Sequence, residues 1–317
     1  MSKLENVSKS SLVNNHGITY ELFKNALRPR YAIVLRDVLL GVVVLLTVVA
    51  AIWWLEALKP GFIWMTIPIG SIAMGIVISY LQLFLHEAAH YNLLPDRRLN
   101  DLIATWCFGI WAGTSIREYR ITHWEHHRNL GTTADPERSY FQAPTLRFLV
   151  ECVTGIHMLR MMKSRSKSTS LPSPQQSTPL FLVLGIIAHS ILLAAAIIAG
   201  HGQFAICWFL AMAVVYPFCA AVRQLLEHRD EKADPAINYA EQNHGAVGRL
   251  FKHNLLGYIF GAAGFDKHLL HHWEPTLSYT CLPELERFLL DTSECKEIIK
   301  HSQTSYPATF IRLFFSK

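Results

Sequence analysis

GFIWMTIPIGSIAMGIVISYLQLFLHEAAH, residues 61–90, is the stretch on which the fold turns. Residues 61–85 carry no charged side chain, and the chain then passes directly into His86-Glu-Ala-Ala-His90. A helix needs roughly 20 apolar residues to cross a hydrocarbon core of about 30 Å, and this run is long enough. Three further uncharged runs, 38–55, 179–200 and 202–222, read the same way. The expected fold is therefore all-α, an integral membrane protein with four transmembrane helices. Composition agrees: 51% apolar against 17% charged, with a mean hydropathy of +0.23, departs from ordinary soluble chains. Two shorter apolar runs, 102–116 and 255–265, fall below spanning length and read as interfacial or re-entrant helices.

Lys and Arg near span ends are retained on the cytoplasmic side. Of 29 such residues, six precede the first span, eleven lie between Tyr91 and Thr178, eleven follow Val222, and only Lys59 falls in an outer hairpin. Both termini and both large polar segments, 86–178 and 223–317, are thus expected to be cytoplasmic. The net charge of +5 then reports topology and attraction to anionic membrane lipids, with no call for nucleic acid. Residues 1–36 read as a cytosolic amino-terminal segment and 37–317 as a single domain. The first thirty residues hold no apolar core with a small-residue cleavage site, so a cleaved signal peptide is not expected. Six cysteines without CxxC pairing, none in an outer loop, read as reduced thiols. SRSKSTSLPSPQQST, residues 164–178, reads as a flexible linker before the third span.

Eight of the 16 histidines fall into three tight motifs: His86-Glu-Ala-Ala-His90, His123-Trp-Glu-His126-His127 and His268-Leu-Leu-His271-His272. Residues three and four apart share a helix face, so HxxxH aims two imidazoles at one point and HxxHH at least two, with a third on the neighbouring flank. Each motif can clamp a metal ion. The carboxylates Glu87, Glu125 and Asp266 stand beside motif histidines and are candidates to accept their second N–H and orient the rings. His228, six residues past the fourth span in Arg223-Gln-Leu-Leu-Glu227-His228, raises the candidate ligands to nine. Arg223 and Glu227 form either an ion pair that orients His228 or a plain headgroup contact. Nine ligands suffice for two metal ions and exceed what one zinc could use. All nine fall on one side of the expected membrane.

These motifs resemble the integral membrane fatty acid desaturase superfamily, marked by histidine boxes of HxxxH, HxxHH and HxxHH form around paired spans. The resemblance runs from about residue 85 to 285. It includes Asp135-Pro136 after the second box, the Arg-xxx-Glu-His element, and the stretch from Trp273 to Leu282-Pro283. It implies that His86, His90, His123, His126, His127, His228, His268, His271 and His272 bind two Fe2+ ions beneath a cytosolic helical cap, with Asp135 joining the carboxylates that support them. It further implies O2 as co-substrate and a lipid hydrocarbon chain as substrate. Removing hydrogen from an unactivated methylene is beyond any side-chain base, so the chemistry has to come from a metal that activates O2. The three-residue spacing of the first box resembles acyl-lipid desaturases, hydroxylases and carotenoid ketolases. Acyl-lipid desaturation is the leading expectation, and hydroxylation or ketolation of a lipid, alkane or carotenoid is the alternative. No haem-binding His-Pro-Gly-Gly is present, so a separate electron donor of ferredoxin, rubredoxin or cytochrome b5 type is implied. A bacterial inner membrane is the expected location, with the endoplasmic reticulum as alternative.

Rival readings share some of these letters. His86-Glu87-Ala-Ala-His90 is also an HExxH, the zinc-protease pattern with Glu as general base, but a protease would leave both HxxHH motifs without a cause. A metal transporter would be expected to hold its ligands near the bilayer midplane, and a bis-histidine haem protein within spans, whereas these motifs lie at and beyond span ends. His189, inside the third span, is either functional or bonded to a neighbouring helix. His157, His244, His253 and His301 read as surface or packing residues, and His201 as part of an outer hairpin. Trp106, Phe108 and Trp111 read as interfacial anchors, with the wall of a lipid channel as the alternative.

Overall fold

The computed structural model describes residues 4–58, 60–157, 159–161, 180–234, 236–239 and 241–315. In chain order the helices are α1 (Tyr20–Ala26), α2 (Tyr31–Leu58), α3 (Ile63–Ala89), α4 (Arg97–Ile103), α5 (Ile116–Asn129), α6 (Leu146–Val153), α7 (Leu180–Ile198), α8 (Gly202–His228), α9 (Leu255–Phe260), α10 (His268–Trp273), α11 (Leu282–Leu290), α12 (Ser293–His301) and α13 (Tyr306–Phe315). Two-residue strands, Leu250–Phe251 and Gln303–Thr304, pair in parallel, Leu250 opposite Gln303. Among the described residues, α2, α3, α7 and α8 are long and apolar enough to cross a membrane. The expected linker at 164–178 and Pro179, the expected start of the third span, lie outside the described residues.

The helices outrun the apolar stretches that announce them. The first begins at Tyr31, ahead of residue 38, the second runs on to Ala89, and the fourth to His228. Apolarity marks only the part a hydrocarbon core would cover, while backbone i→i−4 bonding continues into polar sequence. That continuation matters here, because it carries His86 on α3 and His228 on α8 as rigid extensions of spans. Close approach locks the spans together. Gly75 of α3 faces Val215 of α8, where an added Cβ would stand 2.4 Å from the valine Cβ.

The run expected at 102–116 turns back between spans. After α4 it passes through a π-helical turn (Ala104–Phe108) and a 3-10 turn (Gly109–Ala112). Irregular backbone among apolar helices needs polar partners, and two span side chains supply them. Gln82 Nε2 donates to Phe108 O (3.1 Å), and His189 Nε2 donates to Trp111 O (3.1 Å) while its Nδ1 accepts from Trp208 Nε1 (3.0 Å). His189 therefore serves backbone satisfaction. Trp106 remains half exposed against Phe181, whereas Phe108 is buried. The run at 255–265 splits into α9 and a 3-10 turn (Phe265–Lys267) reached through Gly264, whose φ of +87° suits a residue without a side chain.

The amino-terminal segment packs on the third box. Leu4, Leu12 and Tyr20 share one core with Leu269, Leu270, Trp273, Leu285 and Phe288. Glu274, two residues past His272, accepts from Tyr20 Oη (2.7 Å), Lys9 Nζ (3.0 Å), Lys24 Nζ (2.9 Å) and Thr276 Oγ1 (2.7 Å). Burial alone would raise its pKa, but these bonds hold the carboxyl down to about 2.

Candidate metal centre

The site is assembled from the polar ends of two spans and two short helices. His86 sits on the last turn of α3 and His90 is its C-cap residue. The second motif lies on α5, which a capping box starts: Ser115 Oγ accepts from Glu118 N and Glu118 Oε2 accepts from Ser115 N. The third motif occupies α10, and His228 closes α8.

The nine histidines meet in two adjoining clusters. In the first, ring nitrogens of His86, His90, His123, His127 and His271 lie within 4.8 Å of one another. In the second, the same separation groups His126 with His228 and His272, and His228 with His268 and Glu227. The clusters touch where the rings of His127 and His272 stand 4.3 Å apart. Each HxxHH helix serves both. His123 and His127 enter the first cluster and His126 the second, while His268 and His272 enter the second and His271 the first.

The spacing fits ligation. In the first cluster Nε2 of His123 lies 2.9 Å from that of His90 and 3.0 Å from that of His127, which is 3.0 Å from that of His271. In the second, Nε2 of His268 lies 2.9 Å from that of His228 and 3.1 Å from that of His272. Adjacent nitrogens around an ion at roughly 2.1 Å would stand roughly 3.0 Å apart. Both ring nitrogens of His86 are buried without hydrogen-bond partners, an expensive state unless a ligand meets one of them.

Protonation points the same way. Burial, then repulsion from neighbouring imidazoles, holds His127, His268, His271 and His272 well below the usual histidine range, and burial does the same to His90. Burial also lowers His123, against the pull of Glu137. Neutral imidazoles keep the lone pair that ligation uses. His126 departs upward: burial would lower it, but the charge of Glu137 and the bond to Asp135 outweigh that.

Outer partners set the tautomers. His126 Nδ1 donates to both oxygens of Asp135 at 3.0 Å, and Asp135 also accepts from Tyr140 Oη. His228 Nδ1 donates to Val247 O (3.2 Å). In both rings this turns Nε2 inward as the bare acceptor. Glu87, fully buried, accepts from Tyr279 N (3.2 Å) and lies 3.9 Å from His86 Nδ1. Glu227 lies 3.7 Å from His268 Nε2 and 3.3 Å from Arg223 Nε, so the ion pair is present, while the Nδ1 of His228 is held by Val247 O.

Two expected carboxylates stand elsewhere. Glu125 pairs with Arg128 (2.5 Å) and Asn129 (3.2 Å) on the exposed flank of α5, because position i+2 after His123 points away from the face that His123 and His127 share. Asp266 pairs with His253 Nδ1 (3.2 Å), a histidine outside the motifs. Sequence reasoning missed Glu137, which lies 3.6 Å from His123 Nδ1 and accepts from Gln224 Nε2 (2.7 Å), and it missed Tyr140. The Asp135-Pro136 dipeptide was the nearest signal. His244 is buried against Tyr140, Phe141 and Tyr239, a packing role.

A helical membrane protein with clustered histidines at the ends of its spans is the class these features define. Residues 62–301, well over half of the chain, match the fatty acid desaturase family. The chain belongs to that family. A stretch of 94 residues is 32% identical to a beta-carotene ketolase from Paracoccus sp., covering 28% of this chain and 36% of the ketolase. The match thus spans about a third of that relative's length. The family and the four long apolar helices together mark a membrane protein.

Proposed function

We propose that the nine histidines hold two Fe2+ ions and that the protein uses O2 to desaturate a fatty acyl chain in a membrane lipid. The convergence of nine imidazoles, from three boxes and His228, into two adjoining clusters, seven of them with a ring nitrogen about 3 Å from a neighbour's, carries this reading. The five-histidine cluster takes one ion, and His126, His228, His268 and His272 the other. The bound ions would supply the activation of O2 that side chains lack. The protein's own part is placement. Asp135 and Val247 O hold the Nδ1 protons of His126 and His228, Glu227 offers a carboxylate beside His268 and His228, and burial keeps bulk water from the rings. The Lys and Arg distribution supports a cap and both termini on the cytoplasmic side; a bacterial inner membrane and a separate electron donor of ferredoxin, rubredoxin or cytochrome b5 type complete the proposal.

A second reading, ketolation or hydroxylation of a carotenoid or other lipid, is favoured by the ketolase match. Metal analysis of the detergent-purified protein beside H271A/H272A tests the shared core. Near two irons per chain, falling sharply in the variant, is expected; one zinc per chain, unchanged in the variant, overturns it. Product analysis with reduced donor and acyl lipid or carotenoid then separates the two reactions.

A further inference from the structure

Both spans that carry motif histidines end against an arginine from elsewhere in the chain. At the end of α3, Arg120 Nε donates to Ala89 O (2.9 Å), Nη2 to Ala88 O (3.1 Å) and Nη1 to Asp101 Oδ2 (3.0 Å). At the end of α8, Arg249 Nη1 donates to Leu226 O (3.0 Å) and Glu227 O (3.5 Å), and Nη2 to Arg229 O (2.7 Å) and Glu231 Oε1 (3.4 Å). The last carbonyls of a helix have no intrahelical partner, and a planar guanidinium can grip two at once. Each arginine is further anchored by a carboxylate.

The origin of each arginine gives the grip its meaning. Arg120 lies on α5 three residues before His123, so its hold on α3 sets the separation of His90 and His123, whose Nε2 atoms are 2.9 Å apart. Arg249 O accepts from Leu269 N (3.0 Å), next to His268, so its hold on α8 sets the separation of His228 and His268, again 2.9 Å. Each is a contact that joins a span to a box within its cluster. Ligand sets must be held to within roughly 0.5 Å, and side chains on two separate elements do not keep that spacing unaided.

We propose that Arg120 and Arg249 are positioning residues, one per cluster: Arg120 sets the metal affinity of the five-histidine cluster, and Arg249 that of the cluster holding His228. This rests on the clusters being metal sites. Lysine keeps the charge but loses the fork, so R120K and R249K separate geometry from charge. The full-length protein in detergent is stripped and titrated with Co2+, whose visible absorption follows each site. R120K is expected to weaken one of two cobalt sites about 10–100-fold, the usual scale for outer partners of a metal ligand, and R249K the other. The assignment comes from crossing them with disabled clusters. In H268A/H272A, R120K weakens the remaining site and R249K leaves it unchanged; in H123A/H127A the pattern reverses. A general loss of folding would weaken whichever site remained in either background, so equal effects of both lysine variants overturn the proposal, as does no effect. If a lysine variant does not fold, D101N and E231Q, which loosen the same guanidinia, must show the same crossover. A wild type that takes up fewer than two cobalt ions refutes the metal reading itself, whatever the arginines do.

Discussion

The two histidine clusters are built from the same boxes yet differ in their carboxylates. The first holds five imidazoles and no carboxylate within its group, with Glu137 3.6 Å from His123 Nδ1 and Glu87 3.9 Å from His86 Nδ1. The second holds four imidazoles and includes Glu227, with Asp135 bonded directly to His126. Neutral imidazoles would leave a dication's charge uncompensated whatever their number, so the second group differs in offering a buried carboxylate among its candidate ligands. The difference teaches that similar boxes need not make similar sites, because each box divides its histidines between both.

Breaking one cluster at a time is the strongest test of this division. H123A/H127A removes two of five imidazoles from the first, and H268A/H272A two of four from the second. Each double variant is expected to retain one of two irons by metal analysis and to form no detectable product; loss of both irons in either would mean the clusters form one inseparable site. The difference in carboxylates is sharpened by E227Q. It is expected to weaken iron binding in the second cluster about 10–100-fold with the first unchanged, read by titration, and equal weakening of both would erase the asymmetry.

A smaller effect concerns how the third box is backed. Glu274 has its carboxyl held down to about 2, so its bonds stabilise the fold above the ordinary carboxylate pKa and are lost as pH falls toward 2. E274Q should therefore melt below wild type at pH 7, with the gap closing near pH 2 to 3; a gap that widens on acidification would reverse the sign. The smallest effect is expected from E125A, since Glu125 faces solvent beside Arg128. Its iron content should match wild type and its stability should lie within about 0.5 kcal/mol of it, and loss of iron would restore Glu125 to the centre.

Legibility divided along physical lines. The three boxes could be read because helical spacing is local, and the four spans because a hydrocarbon core demands unbroken apolarity. His228 could be found from its place just past a span. Glu125 and Asp266 were misread because adjacency in sequence says nothing about which face of a helix a side chain occupies. Glu137, Arg120 and Arg249 carry no local signal, since their partners come from distant elements: Gln224 for Glu137, Ala88 and Ala89 for Arg120, Leu226 and Leu269 for Arg249.

By itself the sequence determined the class of fold, the four spans and the three boxes, because hydropathy and i, i+3, i+4 spacing are properties of a single helix. Tertiary structure alone decided which histidine joins which cluster. On a helix, i+4 stands about 40° from i on one side and i+3 about 60° on the other, so an HxxHH can face one site or straddle two. Which it does depends on how α3, α5, α8 and α10 pack against one another, and that is set by contacts between residues far apart in the chain.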